Sequence, residues 1–326
     1  MLASEVDDVE RMPAETLVAQ GLCDAVYTFI KDEPHKEEKV RDNRFRLISC
    51  MSLVDTTIQR LLFRRQNNLE ISLNKGLTFK PGMGLHDDGL KALFAWFKRV
   101  EENFTRDGHR VCSTDISGWD WSVPGWLMCF ERDYRIALGD ATSGWAHLVR
   151  VNSVCTRRKV FQLENGDTFA QSEDGIQASG CYCTSSGNSH MRCGLSICVQ
   201  LELGFNGQSE MEGAQMGDDA LERFLHGLEE MYKEYGFKVK GVQTMEPGHF
   251  EFCSTLWENE WAGQPTSWKK TLFRFLFQDF SSEMLPMLLE QLRRDLRHHH
   301  DRVSILSRVS SFIEEVVVNP RVDPSI

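Results

Sequence analysis

Two periods of apolar residues run along the chain, and the switches between them mark its elements. In residues 86–104 the segment LKALFAWFKRV sets apolar side chains three and four positions apart, which buries one face of a helix. The same period covers 52–65, where Leu53, Ile58, Leu61 and Leu62 form the stripe. Ser52 is the N-cap of that helix, with Asp55 three residues on. GWLMCFERDYRIAL is helical by the same rule, as is LERFLHGLEEMYKEYG, closed by Gly236 as a C-cap. Residues 1–30 are helical in part, and the chain beyond Thr266 is mostly helical, with basic patches at SWKK and QLRRDLR. Elsewhere the period falls to two. RFRLISC alternates basic and apolar residues, as a half-buried strand does, and RVCSTDIS is a strand ending in a polar turn. RKVFQLENGDTFAQ folds back around Asn165-Gly166-Asp167, HFEFCSTLW is a second hairpin, and AQMGDDALERF is strand, turn, strand. SGCYCTSSGNSHMRCGLSICVQLELG opens as a glycine-serine loop and continues as a helix.

Few strands, separated by helices and returned by hairpins, specify an α+β fold with an antiparallel sheet backed by helices. The chain has 326 residues, 41% hydrophobic and 26% charged, which are ordinary globular values. It contains no apolar run of about 18 residues, and Met1 is followed by acidic residues rather than a basic segment and an apolar core. A membrane span and a signal peptide are therefore not expected. Ten cysteines include Cys181-x-Cys183 but no CxxC pair and no His/Cys cluster at zinc spacing, so they read as reduced thiols. His298, His299 and His300 read as a solvated helix face.

Charge changes the picture in one place. The net charge is −11, yet residues 31–66 carry nine Lys/Arg against six Asp/Glu, a local excess of three positive charges. A negative chain can still build a positive cleft. Lys31, Lys39, Arg44 and Arg46 are the groups that would meet phosphate oxygens there. The opposite sign concentrates at two other points. Asp218 and Asp219 stand together in the hairpin AQMGDDALERF, and Asp115 and Asp120 lie in TDISGWDWS. Hairpin tips favour Asp, so the pair alone says little. If strand 110–115 pairs with strand 214–217, however, Asp115 and Asp218 meet, and three close carboxylates need cations. Oxygen ligands without His or Cys favour Mg²⁺ or Mn²⁺, two of which can clamp a phosphoryl transfer. In the small-residue loop SGCYCTSSGN, Ser179, Thr184 and Asn188 can read a ribose 2′-OH.

In chain order, these segments resemble the RNA-dependent RNA polymerases of positive-strand RNA viruses, above all the sobemovirus, polerovirus and barnavirus group. The resemblance runs from Lys31 to Trp257. KDEPHKEEKVRDNRFRLI is similar to the basic motif F, DISGWDWS to motif A, SGCYCTSSGN to motif B, MGDD to motif C, YGFKVK to motif D and FEFCSTLW to motif E, the primer grip. The resemblance implies a right-hand fold. Fingers would span 1–105, with motif F at 31–48, and palm 106–260, with a fingers insertion at about 140–178; the thumb would span 261–326. Thirty residues precede Lys31, fewer than the family places there, so incomplete N-terminal fingers are expected.

The resemblance also implies roles. Asp115 and Asp218 would bind two Mg²⁺ ions, with Mn²⁺ as a substitute, the Ile116 carbonyl as a further ligand and Asp219 as supporting charge. Asp120 and Asn188, with Ser179 or Thr184, would select the 2′-OH. Lys31, Lys39, Arg44 and Arg46 would hold the triphosphate, Lys238 or Lys240 would protonate pyrophosphate, and Phe252, Cys253 and Ser254 would form the primer grip. The implied partners are an RNA template and nascent strand, NTPs, a genome-linked protein primer and other viral replication proteins. The implied location is a membrane-associated replication complex in the host cytoplasm. Two alternatives stand beside this reading. One is an idle polymerase fragment that binds RNA or organises a replication complex. The other is a reverse transcriptase, against which Gln215-Met216-Gly217 lacks the usual aromatic residue.

Overall fold

The structure is a computed structural model that describes residues 2–139, 143–205, 213–278 and 281–318. The chain opens with helices α1 (Leu2–Glu10) and α2 (Ala14–Ala19), strand β1 (Val26–Ile30), the short helix α3 (Glu37–Arg41) and strand β2 (Leu47–Cys50). Long helices α4 (Leu53–Leu73) and α5 (Asp87–Arg106) lead to strand β3 (Val111–Ile116) and the one-turn helix α6 (Trp119–Ser122). Helices α7 (Gly125–Leu138) and α8 (Ser143–Arg157) follow, then strands β4 (Val160–Leu163) and β5 (Thr168–Ala170), and helix α9 (Thr184–Glu202). A hairpin of β6 (Ala214–Met216) and β7 (Asp219–Arg223) precedes helix α10 (Leu228–Glu234) and strand β8 (Val239–Thr244). Strands β9 (His249–Phe252), β10 (Thr255–Glu258) and β11 (Gln264–Pro265) give way to helices α11 (Trp268–Phe277), α12 (Leu285–Asp295) and α13 (Arg302–Val318).

The central sheet is antiparallel, in the order β6-β7-β3-β8. Alternation along β3 sends its side chains to two separate cores. Val111 faces α5 and the β9–β10 hairpin, where Trp96, Phe97, Phe250, Phe252 and Trp257 pack together. Cys112 and Ile116 face the opposite side, against α7, α9 and α10 through Leu127, Met191, Leu195 and Tyr232. A second sheet, β2-β1-β4-β5, joins the N-terminal segment to residues 160–170 and includes one parallel pair, β1 with β4. The C-terminal helices have their own core around Phe275, Leu292, Leu296 and Ile305. No helix among the described residues is long and apolar enough to cross a membrane. The ten cysteines are free.

Most elements fall where the pattern put them. Ser52 caps α4, accepting a hydrogen bond from the Asp55 N–H at 3.0 Å, and the helix continues well past residue 65. Three expectations are corrected. LERFLHGLEEMYKEYG is not one helix: Leu221, Glu222 and Arg223 belong to β7, and the helix begins only at Leu228, after Gly227 turns at φ +84°. Strand β3 pairs with β7, not with 214–216, because the hairpin folds β6 to the far side of β7. The three consecutive histidines form no helix face. They lie in the turns between α12 and α13, with His299 buried and His298 2.9 Å from Asp87. The expected insertion starts at 140–142 and the expected thumb ends at 319–326, both outside the described residues.

A buried charge cluster ties α4 to the helices behind the sheet. His190 of α9 lies 3.2 Å from Glu70 of α4 and 2.8 Å from Glu131 of α7, which also pairs with Arg135 at 2.5 Å. Burial lowers the His190 pKa, but the Glu131 charge and hydrogen bond, with the Glu70 carboxylate close by, outweigh it and raise it from 6.5 to about 9. A histidine whose folded pKa is raised stabilises the fold fully below its unfolded pKa and loses that contribution as pH rises through the folded one. Chemical denaturation should therefore show the wild type losing roughly 3 kcal/mol relative to His190→Gln as pH climbs from 6.5 to about 9. Parallel pH curves for the two proteins would contradict the charged cluster.

Candidate active site

The site forms where β3 and β7 end side by side. Asp115 and Asp219 are directly opposed in the antiparallel register, so both carboxylates point to one face. Asp218 sits one residue earlier, in the turn between β6 and β7. Gly217 takes φ +68° there, a conformation that favours glycine at the first position of a two-residue hairpin. The expectation that Asp115 and Asp218 lie on adjacent strands is thus corrected: Asp219 is the strand neighbour and Asp218 is the turn residue. Like charges directly opposed across strands are destabilising unless something compensates. Their pKa values carry that cost. Burial and the neighbouring charges of Asp218 and Asp115 push Asp219 to about 7, and burial with the Asp115 charge raises Asp218. Lys240 of β8 supplies partial compensation, with its ammonium 2.8 and 2.7 Å from the two oxygens of Asp115.

Hydrogen bonds from behind fix the Gly217–Asp218 turn. The Ser189 hydroxyl accepts from the Gly217 N–H at 3.1 Å, and the Arg192 guanidinium donates to the Asp218 carbonyl at 3.4 Å. Arg192 is itself fully buried against Glu222 of β7 at 2.9 Å and Tyr232 of α10 at 2.6 Å. Glu222 also accepts from the hydroxyls of Thr114 and Ser196. No short motif marks these residues. Their sequence signal is a Glu beside Ala220 and Leu221 in β7 and an Arg between Met191 and Leu195 in α9.

A second group adjoins the carboxylates. The Asn188 amide donates to Asp120 at 3.0 Å, and its own carbonyl oxygen is buried without a hydrogen-bond partner among the described residues. Burial raises the Asp120 pKa and the Asn188 hydrogen bond opposes it. The charge of Arg46 is felt at both Asp120 and Asp218, so the basic segment reaches this cleft. Ser179 and Thr184 are occupied with backbone groups. The Ser179 hydroxyl accepts from the Ser49 N–H at 3.1 Å, while the Thr184 hydroxyl faces the carbonyls of Ala178, Ser179 and Cys181. Arg44 is paired with Asp42 at 2.8 Å and Lys39 lies in α3, whereas Lys31 and Arg46 both turn to Glu33.

The β9–β10 turn closes the cleft beside Asp219. Cys253 and Ser254 both adopt positive φ, 50° and 53°, as the favoured two-residue hairpin turn requires and as non-glycine residues seldom do. Cys253 lines the cleft together with Asp219, and burial with the charges of Asp219 and Asp218 raises its thiol pKa well above the usual value. Phe252 is 2% exposed and packs against Phe97, so it supports the turn from the core rather than lining the cleft. Lys238 and Lys240 are both exposed; Lys240 reaches Asp115, while Lys238 contributes its backbone carbonyl to the Ser117 N–H.

Three clustered carboxylates, raised pKa values at Asp218 and Asp219, and a lysine drawn onto Asp115 form one cleft in this sheet. The overall fold is similar to the solved RNA-dependent RNA polymerase of a human picorbirnavirus, with a TM-score of 0.66, 11% identity and coverage of 91% of this chain and 58% of that one. Its insertion-loop deletion mutant gives 0.67. Residues 2–255 match the viral RNA-directed RNA-polymerase family, and the chain belongs to that family. It is 38% identical over 275 residues to the RNA-directed RNA polymerase of Mushroom bacilliform virus, covering 83% of this chain and 64% of that protein. It is 36% identical to the replicase polyprotein P2AB of Southern cowpea mosaic virus and to protein P1-P2 of Potato leafroll virus, covering 29% and 24% of those proteins. The chain therefore spans just under two thirds of the first relative and less than a third of the polyproteins.

The donor set fits a hard divalent cation, because Asp115, Asp218 and Asp219 offer only carboxylate oxygens and carry an uncompensated charge. Without metal, the raised Asp219 pKa means its ionised form opposes folding, increasingly so as pH rises from 3.8 through about 7. Asp219→Asn should therefore melt about 2–4 °C above the wild type in chelator at alkaline pH, and the gap should vanish at strongly acidic pH. Added Mg²⁺ should raise the wild-type melting temperature more than that of the variant. Equal melting in chelator would mean that the carboxylates are not in conflict.

Proposed function

We propose that this chain is the catalytic part of an RNA-dependent RNA polymerase that copies a positive-strand viral genome. The opposition of Asp115 and Asp219, with Asp218 beside Asp219 in the glycine turn, is the observation that carries this function. Fingers at 1–105 and about 140–178, palm at 106–260 and thumb at 261–326 would surround it. When bound, two Mg²⁺ ions supply charge stabilisation at the reacting phosphate and a more acidic 3′-hydroxyl. Asp115 and Asp218 would hold them, with the Ile116 carbonyl as a further ligand and Asp219 as supporting charge.

The RNA 3′-oxygen would attack the α-phosphorus of an NTP, the bond to the bridging β-phosphate oxygen would break, and pyrophosphate would leave with a proton from the protein. Between the two lysines the geometry favours Lys240, whose ammonium already stands at the carboxylates. Lys240, released when Asp115 holds a cation, would turn toward the departing phosphate. Arg46 and Lys31 would steady the triphosphate, and the Asp120–Asn188 pair would read the 2′-OH. Ser179 and Thr184 would shape the loop instead of touching sugar. Template and nascent RNA would run past the Cys253–Ser254 turn. A protein primer, further replication proteins and a membrane-associated cytoplasmic complex remain compatible partners and setting.

Asp115→Ala and Asp218→Asn should each reduce Mg²⁺-dependent primer extension by at least about 10³-fold while leaving the melting profile folded. An undiminished rate in either would reject the assignment. RNA binding without extension by the wild type, in Mg²⁺ and in Mn²⁺, would favour the idle-fragment alternative. Asn188→Ala should narrow the preference for rNTP over dNTP by about tenfold or more, since a lost hydrogen bond to a buried polar partner costs 1–3 kcal/mol. An unchanged ratio would remove Asn188 from sugar selection.

A further inference from the structure

Glu33 is the point of greatest charge asymmetry outside the carboxylate site. Its side chain is 2% exposed, yet four cations converge on it. Lys31 lies at 3.4 Å and Arg46 at 3.1 Å, both from the basic N-terminal segment. Lys270 lies at 3.1 Å and Arg274 at 2.7 Å, both from α11 in the C-terminal helical unit. Burial pushes the Glu33 carboxyl up, but the Lys270 hydrogen bond and the charges of Arg46, Lys270 and Lys31 bring it down to about 2. It is therefore ionised at any working pH. Four positive charges against one negative leave three in excess (4 − 1), and among the described residues none of the four cations has a second acidic partner. The carboxylate is covered while the cation side chains remain 33–60% exposed. A tie made only to hold two units together would need one cation per carboxylate, not four with open heads.

We propose that Lys270 and Arg274 of α11 complete the phosphate-binding site begun by Lys31 and Arg46, and that Glu33 is the positioning residue that holds all four in one array. This rests on the polymerase reading, which makes the anion the triphosphate of the incoming nucleotide. The position supports it: Arg46 immediately precedes β2, whose Ser49 and Cys50 pair with Ser179 and Gly180, in the loop whose Gln177 N–H donates to the Asp120 carbonyl, and its charge is felt at Asp218 and Asp120. Lys270 and Arg274 stand four residues apart on one helix and present their charges from a single face.

The array also has a stated order. Glu33 removes one negative charge's worth of attraction for phosphate but prevents four like-charged heads from splaying apart. Its replacement by Gln gains positive charge, which alone would tighten phosphate binding. The positioning role requires the reverse.

Binding of inorganic tripolyphosphate to the whole chain, followed by calorimetry, tests the site without requiring turnover. Lys270→Ala/Arg274→Ala should weaken it about tenfold or more, the loss expected of charge-assisted contacts, while melting as the wild type does. Lys270→Arg should restore most of the affinity in the presence of native Arg274. Glu33→Gln should weaken binding in spite of its added positive charge. Affinity for a short single-stranded RNA, measured on the same proteins, should change little. In primer extension the double variant should raise the KM for NTP more than it lowers kcat. Unchanged tripolyphosphate affinity in the double variant would overturn the proposal, leaving a salt-bridge tie. Loss of RNA affinity alone would assign the same phosphate chemistry to the RNA backbone and overturn the triphosphate site. Absence of extension by the wild type would reject the polymerase reading, and the tripolyphosphate measurement would still decide whether the array binds phosphate.

Discussion

The Gly217–Asp218 turn depends on a charge pair buried behind it. Arg192 and Glu222 are completely buried, 2.9 Å apart, between α9 and the central sheet. A buried pair of this kind is stable only when its remaining donors and acceptors are used, and here they are. Glu222 accepts from Thr114 on β3, Ser196 on α9 and Tyr232 on α10, so four elements share one carboxylate. Burial pushes its pKa up, and Arg192 with the three hydroxyls brings it below the usual carboxylate range. Because Arg192 also donates to the Asp218 carbonyl, the pair fixes the height of the turn above the sheet. Removing one partner from such a pair typically costs about 3–5 kcal/mol, and here the loss would fall first on the geometry of Asp218.

The carboxylate face inverts that logic. Behind the sheet, opposite charges are satisfied; in front, Asp115, Asp218 and Asp219 are left in conflict, eased only by Lys240. The conflict resides on the odd-numbered face of β3, where Val111, Ser113 and Asp115 alternate with Cys112, Thr114 and Ile116 on the other. One strand thus carries the core of one half, the support of the turn and a metal-binding candidate. A one-residue slip of β3 against β7 would exchange Asp115 with Ile116 and put Thr114 out of reach of Glu222.

Local chemistry was legible in the sequence, and long-range partnership was not. The hairpin, its glycine and the second aspartate site could be read directly, because turns and strand ends leave short signatures. Their register could not: β6 and β7 each carry few residues, and only the folded hairpin determines which one lies against β3. The mistaken helix from Leu221 arose because Leu221, Leu225 and Leu228 happen to keep helical spacing while Glu222 and Arg223 are buried for other reasons. Glu33 and Lys270 are 237 residues apart, and Thr114 and Arg192 are 78, so no window of sequence holds both ends of either contact. Ser179 and Thr184 show the converse. The right residue types stand at the right spacing, yet the fold spends their hydroxyls on backbone.

The β9–β10 turn links these two faces of the problem. Two consecutive non-glycine residues with positive φ are retained at Cys253 and Ser254, at a cost of order 1–3 kcal/mol each. The Ser113 hydroxyl donates to the Glu251 carbonyl at 2.8 Å and Phe252 anchors in the core, so the hairpin is pinned to β3 from below. From above, Cys253 lines the cleft together with Asp219. A nascent strand resting on this turn would be referenced directly to the carboxylates, through one thiol and one strand, rather than through the mobile reach of a long side chain. The strain is tolerated where it sets the hairpin turn beside the carboxylates.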